Sequence, residues 1–461
     1  MNEDISITKP TEEELNNCWT DKFGVKYSKD KKRLLDCSED LPSHYSIPEG
    51  TEVICDRAFW LYTDDLSSVT IPESVRHIGI NPFNGCESLT NIDCRSKHFV
   101  FRDDALYTAD MTRIISYIGK KDTFTIPDTV THIGDETFED CTFQSIIIPA
   151  SVTHIGDDAF SYCESLQEID IPDSVTYIGE GVFSGCSSLT SIHIPDSVTH
   201  IGDSAFSNCE SLEHINIPNS VTSIGKNPFV SCYELNSIDC NTRHFVFRDH
   251  GLYTADMTHL IAFIGDEEDF VIPDSVTRID SYTFYECEFD SIIMPDSVIR
   301  IDEYAFQFCR CKSIHLSESL KAIGNNAFDC LQVDSPLVVP DSVTHISNEA
   351  FRGCITESII IPDSVTYIGE SAFHECETLR SIHIPKSLTT IEDRTFCACY
   401  SLTDVVIPDS VTSIGDGAFA YCHALESVHI PDSVTHIGED AFEDCESLRS
   451  INIPESVIKK G

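Results

Sequence analysis

Residues of the types that form catalytic or metal-binding sites recur along this sequence at a nearly constant interval. The phrase PDSVTHIGD places Ser, His and Asp within nine residues, and a Cys usually follows 14 residues after the Pro. Ser, His and Asp are the components of a hydrolytic triad. A catalytic residue acts once, in one geometry, whereas these letters recur in repeat after repeat. We therefore interpret them as structural and predict that the protein is not an enzyme.

Thirteen of the 21 cysteines occupy that one repeated position, to which Tyr62 and Leu331 are the clear exceptions. Equivalent residues of stacked repeats have parallel Cβ directions, which is poor geometry for a disulfide. A zinc site needs paired cysteines with two to four residues between them, and Cys397 and Cys399, with one residue between them, are too close for that. We interpret the column as one small buried apolar residue per repeat. Free thiols also suit a reducing compartment or an anaerobe.

Two further ladders could hold an ion. Carboxylates stacked along the turns would repel one another, and a divalent cation could relieve that repulsion. Calcium needs six to eight oxygens around it, however, and no repeat offers a loop that dense. His132 and His154 fall on neighbouring repeats and are expected to lie close together. An ion- or ligand-binding module therefore stays an alternative function, although we predict no cofactor and no metal. The Asp ladder directly follows the prolines, at Asp173, Asp196, Asp274, Asp296, Asp341, Asp363, Asp409 and Asp432.

The elements that position these residues are short. Prolines recur every 22 or 23 residues, which gives 17 coils from Pro48 to Pro454 and indicates a solenoid. Before each Pro, as in SLTSIHIP, apolar and polar residues alternate as in a strand with one buried face. A second short extended piece, VTYIG, follows the turn at PDS. The segment EGVFSGC is too short for a long helix and predicts one helical or 3₁₀ turn.

Two coils are longer, at residues 95–126 and 241–272, and they are close copies of each other. HFVFRDDALYTADMTRIISYIG and HFVFRDHGLYTADMTHLIAFIG each predict a β-hairpin or small meander. A weaker third copy aligns Tyr27, Asp30 and Arg33 with Tyr107, Asp110 and Arg113. We predict that residues 1–47 form a segment whose hairpin caps the stack, and that residues 48–461 form a single solenoid.

Charge and composition restrict the class of partner. There are 30 Lys and Arg against 77 Asp and Glu, a net charge of −47, which would repel nucleic acid and anionic membranes. No apolar run approaches the roughly 20 residues of a membrane helix. The first residues lack the basic and apolar regions of a signal peptide, so we expect a cytoplasmic location, with the cell surface or secretion as the alternative.

The recurring phrase IPDSVTxIGxxAFxxCxSLxxIxIP, together with the LYxxDxTxLIxxI coils, resembles the BspA-like, or Treponema-type, family of leucine-rich repeats. The resemblance covers residues 45–458. It implies a right-handed solenoid with a parallel sheet on one side. It also implies protein binding, as adhesion to host matrix proteins or other cells, mostly at the surface of anaerobic bacteria and parasitic protists.

If the residues common to most coils are structural, the residues that determine function are expected at the positions that vary from coil to coil. The outward strand position, two residues before the Pro, changes from polar to mostly aliphatic along the chain, and an exposed apolar face is typical of a protein contact. We predict a protein-binding solenoid, a scaffold or adhesin, whose partner is a protein of basic or mixed surface; the chain itself is expected to be a monomer unless its open C-terminal end docks. The predicted strand-face residues are Asp170, His193, Asn216, Val271, Ile293, His315, Val338, Ile360, His383, Val406 and His429, and the predicted hairpin residues are Phe99, Phe101, Tyr107, Phe245, Phe247 and Tyr253.

Overall fold

The computed structural model describes residues 7–37, 41–60, 65–240, 242–265, 268–449, 451–454 and 457. Tyr62 and Asn241, and the C-terminal residues expected to dock onto a partner, lie outside that part apart from Val457. The chain divides into two compact units, Met1–His244 (unit 1) and Phe245–Gly461 (unit 2). The prediction of one solenoid from residue 48 onward stays a prediction, and the two units are described separately.

Unit 1 contains one short helix and 22 short strands among its described residues. Helix α1 (Glu12–Asn16) begins with a capping box between Thr11 and Glu14. The strands are β1 (Trp19–Thr20), β2 (Lys26–Tyr27), β3 (Arg33–Asp36), β4 (His44–Ser46), β5 (Val53–Ile54), β6 (Ser68–Ile71), β7 (His77–Ile78), β8 (Asn91–Cys94), β9 (Phe99–Arg102), β10 (Ala105–Thr108), β11 (Arg113–Tyr117), β12 (Thr123–Thr125), β13 (His132–Ile133), β14 (Ser145–Ile147), β15 (His154–Ile155), β16 (Glu168–Ile169), β17 (Tyr177–Ile178), β18 (Ser191–Ile192), β19 (His200–Ile201), β20 (His214–Asn216), β21 (Ser223–Ile224) and β22 (Ser237–Asp239).

Unit 2 is built from 21 strands in its described part. They are β23 (Phe245–Arg248), β24 (Gly251–Thr254), β25 (His259–Phe263), β26 (Asp269–Val271), β27 (Arg278–Ile279), β28 (Glu288–Ile293), β29 (Arg300–Ile301), β30 (Arg310–His315), β31 (Ala322–Ile323), β32 (Gln332–Val333), β33 (Leu337–Val338), β34 (His345–Ile346), β35 (Ser358–Ile360), β36 (Tyr367–Ile368), β37 (Ser381–Ile382), β38 (Thr390–Ile391), β39 (Asp404–Val406), β40 (Ser413–Ile414), β41 (Ser427–His429), β42 (His436–Ile437) and β43 (Ile451–Asn452).

Each coil contributes one strand to each of two stacks of parallel strands, as the solenoid prediction requires. The strands that precede the prolines form one stack, for example β26-β28-β30-β32 and β33-β35-β37-β39-β41-β43 in unit 2. The VTxIG segments form the other, for example β17-β19-β21 in unit 1. Pairing joins equivalent residues of successive coils, as Ile178 pairs with Ile201, so every coil buries the same positions. Both extended pieces of the repeat are thus confirmed.

The segment predicted to form one helical or 3₁₀ turn, EGVFSGC and its equivalents, forms two successive hydrogen-bonded turns. Ser161 N donates to Asp158 O, and Cys163 N donates to Phe160 O, which are the three-residue spacings of a 3₁₀ turn. Asp158 and Tyr162 have φ values of 54° and 55°, in the left-handed region. A left-handed residue at each end of the segment interrupts a right-handed helix after one turn. The predicted short turn is therefore present, and it does not extend into a helix.

The core of each unit is a set of columns rather than a single cluster. In unit 1 the rings of Phe138, Phe160, Phe183 and Phe206 stack face to face with centroids 5.2–5.6 Å apart. In unit 2 the same column runs from Phe284 to Phe442. Since a single coil cannot enclose its own apolar side chains, stacking is what buries them.

The two long coils form three-stranded antiparallel meanders, as predicted. In unit 1 the order is β9-β10-β11, and in unit 2 it is β23-β24-β25. In each, the last strand pairs in parallel with the next coil, which joins the meander to the stack. The weaker N-terminal copy has the same arrangement in β1-β2-β3, and β3 pairs in parallel with β5.

Candidate functional site

The repeated Ser and Thr hydroxyl groups bond to the backbone of the preceding coil. Ser197 Oγ donates to the carbonyl oxygen of Val175 at 2.6 Å, and Thr199 Oγ1 donates to that of Thr176 at 3.1 Å. The serine bond recurs at Ser342, Ser364 and Ser433. Thr199 Oγ1 also lies 2.8 Å from Nδ1 of His200. These side chains satisfy backbone acceptors between coils, which supports their structural interpretation.

The cysteines of the column also donate to backbone carbonyl groups of the preceding coil, inside the core. All 21 cysteines are free, and Cys186, Cys209 and Cys376 are fully buried. The thiol of Cys209 donates to the carbonyl oxygen of Phe183, in the preceding coil, at 3.1 Å. The same bond forms at Cys86, Cys163, Cys186, Cys232, Cys354, Cys376, Cys399, Cys422 and Cys445. Burial raises the pKa of the Cys209 thiol well above its ordinary value, so it stays protonated and able to donate.

The Gly and the following Asp of the IGD motif form one contact between coils. Lys226 N donates to Oδ1 of Asp203 at 2.9 Å, directly over Gly225. A Cβ on Gly225 would lie 2.3 Å from that oxygen, so no larger residue fits without displacing the carboxylate. Asp157 and Asp393 stand in the same way over Gly179 and Gly415. This role of the aspartate was not foreseen, because the sequence does not show which coil its side chain faces.

The expected proximity of two histidines is confirmed. The rings of His132 and His154 stack with centroids 4.4 Å apart and planes at 9°. Their Nδ1 atoms each lie 2.8 Å from the hydroxyl oxygen of the preceding threonine. Burial, and then the neighbouring His154 and Arg113, lower the pKa of His132. Within the described part of the chain, no three His, Cys, Asp or Glu side chains converge to hold a metal ion.

The aliphatic strand face of unit 2 is the candidate site. In β26, β28 and β30, Val271 pairs with Ile293 and Ile293 with His315; in β33 and β35, Val338 pairs with Ile360. The strands that follow continue the row with His383, Val406 and His429. We call this set of eight residues the unit 2 row. Its five aliphatic side chains keep between 44% and 75% of their surface exposed, although the residues beside them in each strand are buried.

A line of carboxylates borders the unit 2 row. The aspartates after the prolines, from Asp274 to Asp432, are exposed. Nε2 of His383 lies 2.9 Å from Oδ1 of Asp363, which shows that the aspartate of one coil reaches the outward residue of the next. The backbone N–H of Lys386 also donates to Asp363 at 3.0 Å. These contacts, of which the backbone bond is the stronger, lower the pKa of Asp363 and keep it charged. The row is therefore apolar with an acidic margin.

The same strand position in unit 1 is polar. Asp170 and His193 are exposed and paired in a parallel bridge, and Asn216 is half-buried on the next strand. One residue departs from this pattern, Ile147, which is 56% exposed on β14 and was not singled out from the sequence. A count of the outward position through every coil would have found it. The predicted strand-face residues thus all occupy the outward strand position, which is mostly polar in unit 1 and mostly aliphatic in unit 2.

The predicted hairpin residues separate into core and margin. Tyr107 and Tyr253 are fully buried, and Phe245 is 6% exposed, so these three side chains belong to the core and are not available to a partner. Phe99, Phe101 and Phe247 are half-buried. Phe99 and Phe101 pack against the apolar core of unit 1.

Stacked coils with two parallel strands each, an apolar column inside and one strand face outward define a repeat solenoid. A family model described as BspA type Leucine rich repeat region, in six copies, matches residues 39–121, 116–236, 265–355 and 344–461. The chain therefore belongs to this leucine-rich repeat family, and the resemblance noted in the sequence is confirmed. No curated protein matches the chain.

Several solved structures of leucine-rich repeat proteins are similar to the chain. A leucine-rich repeat protein from Bacteroides ovatus is 26% identical, with 78% of this chain and 94% of that chain covered and a TM-score of 0.47. A leucine rich cell surface protein from Faecalibacterium prausnitzii is 26% identical, with 76% and 93% covered and a TM-score of 0.33. A leucine-rich repeat protein from Eubacterium ventriosum is 21% identical, with 94% and 90% covered and a TM-score of 0.40.

The location of the chain is not established by these findings. No helix within the described residues has the length and apolar character needed to cross a membrane. Nothing in the structure or the comparisons supports the expected cytoplasmic location.

Proposed function

We propose that this protein is a non-enzymatic protein-binding solenoid, used as a scaffold or adhesin, and that the unit 2 row is its principal contact surface. One observation carries the proposal: Val271, Ile293, Val338, Ile360 and Val406 are exposed aliphatic residues in equivalent strand positions. Burying such side chains against a partner is favourable by about 25 cal/mol for each Å² of apolar surface removed from water. Exposed aliphatic patches of this kind, here separated by His315 and His383, are typical of interaction sites.

The dimensions of the unit 2 row suit a protein partner. Six coil steps separate Val271 from Val406, and at about 4.8 Å a step the row is about 29 Å long. A standard interface buries about 800 Å² on each partner, and a patch of that area is about as wide as the unit 2 row is long. The acidic margin selects a partner surface with aliphatic residues flanked by Lys or Arg, because complementary charge speeds encounter and disfavours acidic partners.

A pull-down with a five-residue variant tests this function. Val271, Ile293, Val338, Ile360 and Val406 are each replaced by Thr, which keeps the β-branched shape that strands favour. We expect the variant to show the wild-type circular dichroism spectrum and to lose a partner that mass spectrometry identifies with the intact chain. Because the replaced side chains are already half exposed, folding should change little.

Ile299→Thr is the matched control. Ile299 is 47% exposed in unit 2 but lies next to β29, in the other strand stack. This variant should retain the partner. A partner list that is the same for the folded five-residue variant and the intact chain would contradict the proposal. Labelling of intact cells with an antibody to the chain then distinguishes an adhesin, which is reached by the antibody, from an internal scaffold.

A further inference from the structure

The turns of unit 2 carry a second unusual surface, away from the unit 2 row. The residues 9 and 13 positions after each coil's first residue have φ between 51° and 62°, in the left-handed region, in every coil from Pro273 to Pro431. Most coils place Gly, Ser, Asn, Asp or a longer polar residue there, as at Asn326, Gly353 and Ser371. Left-handed φ is unfavourable for bulky residues, whereas Gly and Asn tolerate it.

The two coils that begin at Pro273 and Pro295 break this pattern. They place Tyr282, Tyr304 and Phe308 at these positions, with φ of 60°, 57° and 56°. Left-handed φ at these positions is a property of every coil, so the conformation itself belongs to the stack. What distinguishes these two coils is that three large aromatic residues lie together on adjacent turns.

The three residues and Tyr285 form one cluster, which we call the aromatic ridge. Tyr282 and Tyr304 stack with centroids 4.9 Å apart and planes at 12°. Tyr285 lies 6.0 Å from Tyr282 and contacts Phe308 edge to face, with centroids 5.7 Å apart and planes at 87°. Phe308 keeps 43% of its surface exposed, and the three tyrosines are half-buried. The fully buried Phe284 and Phe306 lie beneath in the core, so the ridge is an addition to the core and not a part of it.

Carboxylates surround the aromatic ridge. Glu286 and Glu303 are exposed on the same two turns. Glu303 lies close enough to contribute, after burial and the neighbouring Tyr304, to a raised pKa of Tyr282. An aromatic face attracts a cation through its quadrupole, and arginine does this more often than lysine. Adjacent carboxylates add attraction for the same charge and can accept the guanidinium N–H groups.

We propose that the aromatic ridge binds arginine side chains of an exposed segment of a partner protein. The rings supply cation–π contacts, Glu286 and Glu303 supply the counter-charges, and the strained turns hold both in place before the partner arrives. This surface rests on observations independent of the unit 2 row, so either proposal can fail alone.

The test uses the full-length chain and a variant that leaves its charge unchanged. Tyr282, Tyr304 and Phe308 are each replaced by Asn, a residue that the repeats themselves place at these positions. The probe is a fluorescein-labelled (Gly-Arg)6 peptide, followed by fluorescence anisotropy in 150 mM NaCl. Loss of the cation–π contacts of these three rings should weaken binding by at least about fivefold. Because backbone strain is relieved, we expect the thermal unfolding midpoint of the variant to stay the same or rise.

Two controls make the result specific. Tyr421→Asn replaces an exposed aromatic residue at the same left-handed position of a distant coil in unit 2, and should leave the probe's affinity unchanged. A (Gly-citrulline)6 peptide, which has the same shape without the charge, should bind weakly to all variants. If the triple variant is destabilised, Phe308→Asn alone is measured, since its side chain is exposed, and a twofold or larger loss supports the proposal.

Three outcomes would overturn the proposal. Equal affinity of the wild type and the folded Asn variants for the arginine peptide would show that only the net charge attracts it. Equal binding of the citrulline peptide would remove the cation from the interaction. Binding of a neutral glucan hexasaccharide by the wild type, lost in the triple variant while arginine binding is kept, would assign the ridge to a carbohydrate instead.

Discussion

The strand faces of units 1 and 2 have the same backbone and different chemistry. In unit 1 the outward position carries Asp170, His193 and Asn216, whereas in unit 2 it carries Val271, Ile293 and the aliphatic residues that follow. Both sit on parallel strands whose inner residues are buried apolar side chains. A polar face needs no explanation in a solenoid, but a repeated exposed aliphatic face does.

The difference shows which positions the stack itself controls. Ser, Thr, Cys and Asp of the repeat bond to a neighbouring coil in both units, and both have a column of stacked Phe rings. The outward strand residue makes none of these contacts, so its type can vary without loss of the fold. We therefore interpret variation at this position as a sign of recognition. If this is right, the cores of the two units should respond alike to substitution, whereas their outward strand faces should respond differently.

The largest effect is expected in the core, where the units should behave alike. Phe183→Ala in unit 1 and Phe351→Ala in unit 2 each remove a fully buried ring from the column. Each should lower the local free energy of unfolding by about 3–5 kcal/mol. Amide hydrogen exchange of the neighbouring coils measures the loss in each unit. A loss below about 1 kcal/mol in either variant would contradict the column as the source of stability.

On the strand face the units should differ. Val338→Lys with Ile360→Lys places two cations in the centre of the unit 2 row, against a partner expected to be basic. We expect affinity for the captured partner to fall about 1,000-fold, since central interface residues contribute about 2 kcal/mol or more each and every 1.4 kcal/mol is tenfold. Surface plasmon resonance measures it. Ile147→Lys, at the equivalent position of unit 1, is the control and should bind normally; equal losses would abolish the distinction between the faces.

A smaller difference concerns pH. In unit 1 burial, and then Glu136 and Asp140, raise the pKa of Glu139 to about 7; burial, and then Glu136 and Glu180, raise that of Asp158 to about 6. A carboxyl whose folded-state pKa exceeds its unfolded value stabilises the fold when protonated, so unit 1 should lose stability as the pH rises from about 4 to about 7.

Glu139→Gln isolates this effect. It keeps an acceptor for Asn84 Nδ2, which donates to Glu139 at 2.6 Å, and removes the charge. Protection of the Phe138 amide should increase by on the order of 1 kcal/mol at pH 8 and by clearly less at pH 5. Exchange corrected for its intrinsic pH dependence gives the value. A gain of the same size at both pH values would show that the charge of Glu139 is not responsible.

The smallest effect belongs to the acidic margin. Asp341→Asn removes one of the exposed carboxylates beside the unit 2 row. The association rate with a basic partner should fall about twofold at low salt, with the dissociation rate nearly unchanged, because exposed charges act mainly on encounter. Stopped-flow mixing at two ionic strengths gives both rates. Asp173→Asn in unit 1 should leave the rates unaltered; a slower dissociation for Asp341→Asn would place that carboxylate inside the interface.

Much of the fold could be predicted because periodic patterning determines it. The proline interval, the alternation in SLTSIHIP and the near-identity of the two long coils led to the coils, strands and meanders that the structure contains. The outward position of Val271 and Val406 followed from alternation alone. The burial of the cysteine column followed from its repetition in an apolar context.

What could not be predicted depends on conformations and contacts between coils. The left-handed φ of Asp158 and Tyr162, at the two ends of the predicted turn, was not foreseen because most coils have a residue other than Gly at these positions. Arg278 and Asp302 form an ion pair across coils, with Asp302 4% exposed, where most other coils have Gly in the aspartate position. The aromatic ridge was missed because only strand positions were compared from coil to coil. Comparison of every repeat position would have found both.

Site-specific photo-crosslinking in the source cells tests the central claim most directly. A benzophenone amino acid is placed at Val338 in the unit 2 row or at His193, the equivalent strand position of unit 1. The account predicts that irradiation joins the Val338 variant to a defined protein, identified by mass spectrometry, and that the His193 variant gives no such product. Crosslinking of that protein at His193 but not at Val338, or no product from either position, would contradict the unit 2 row as the binding surface.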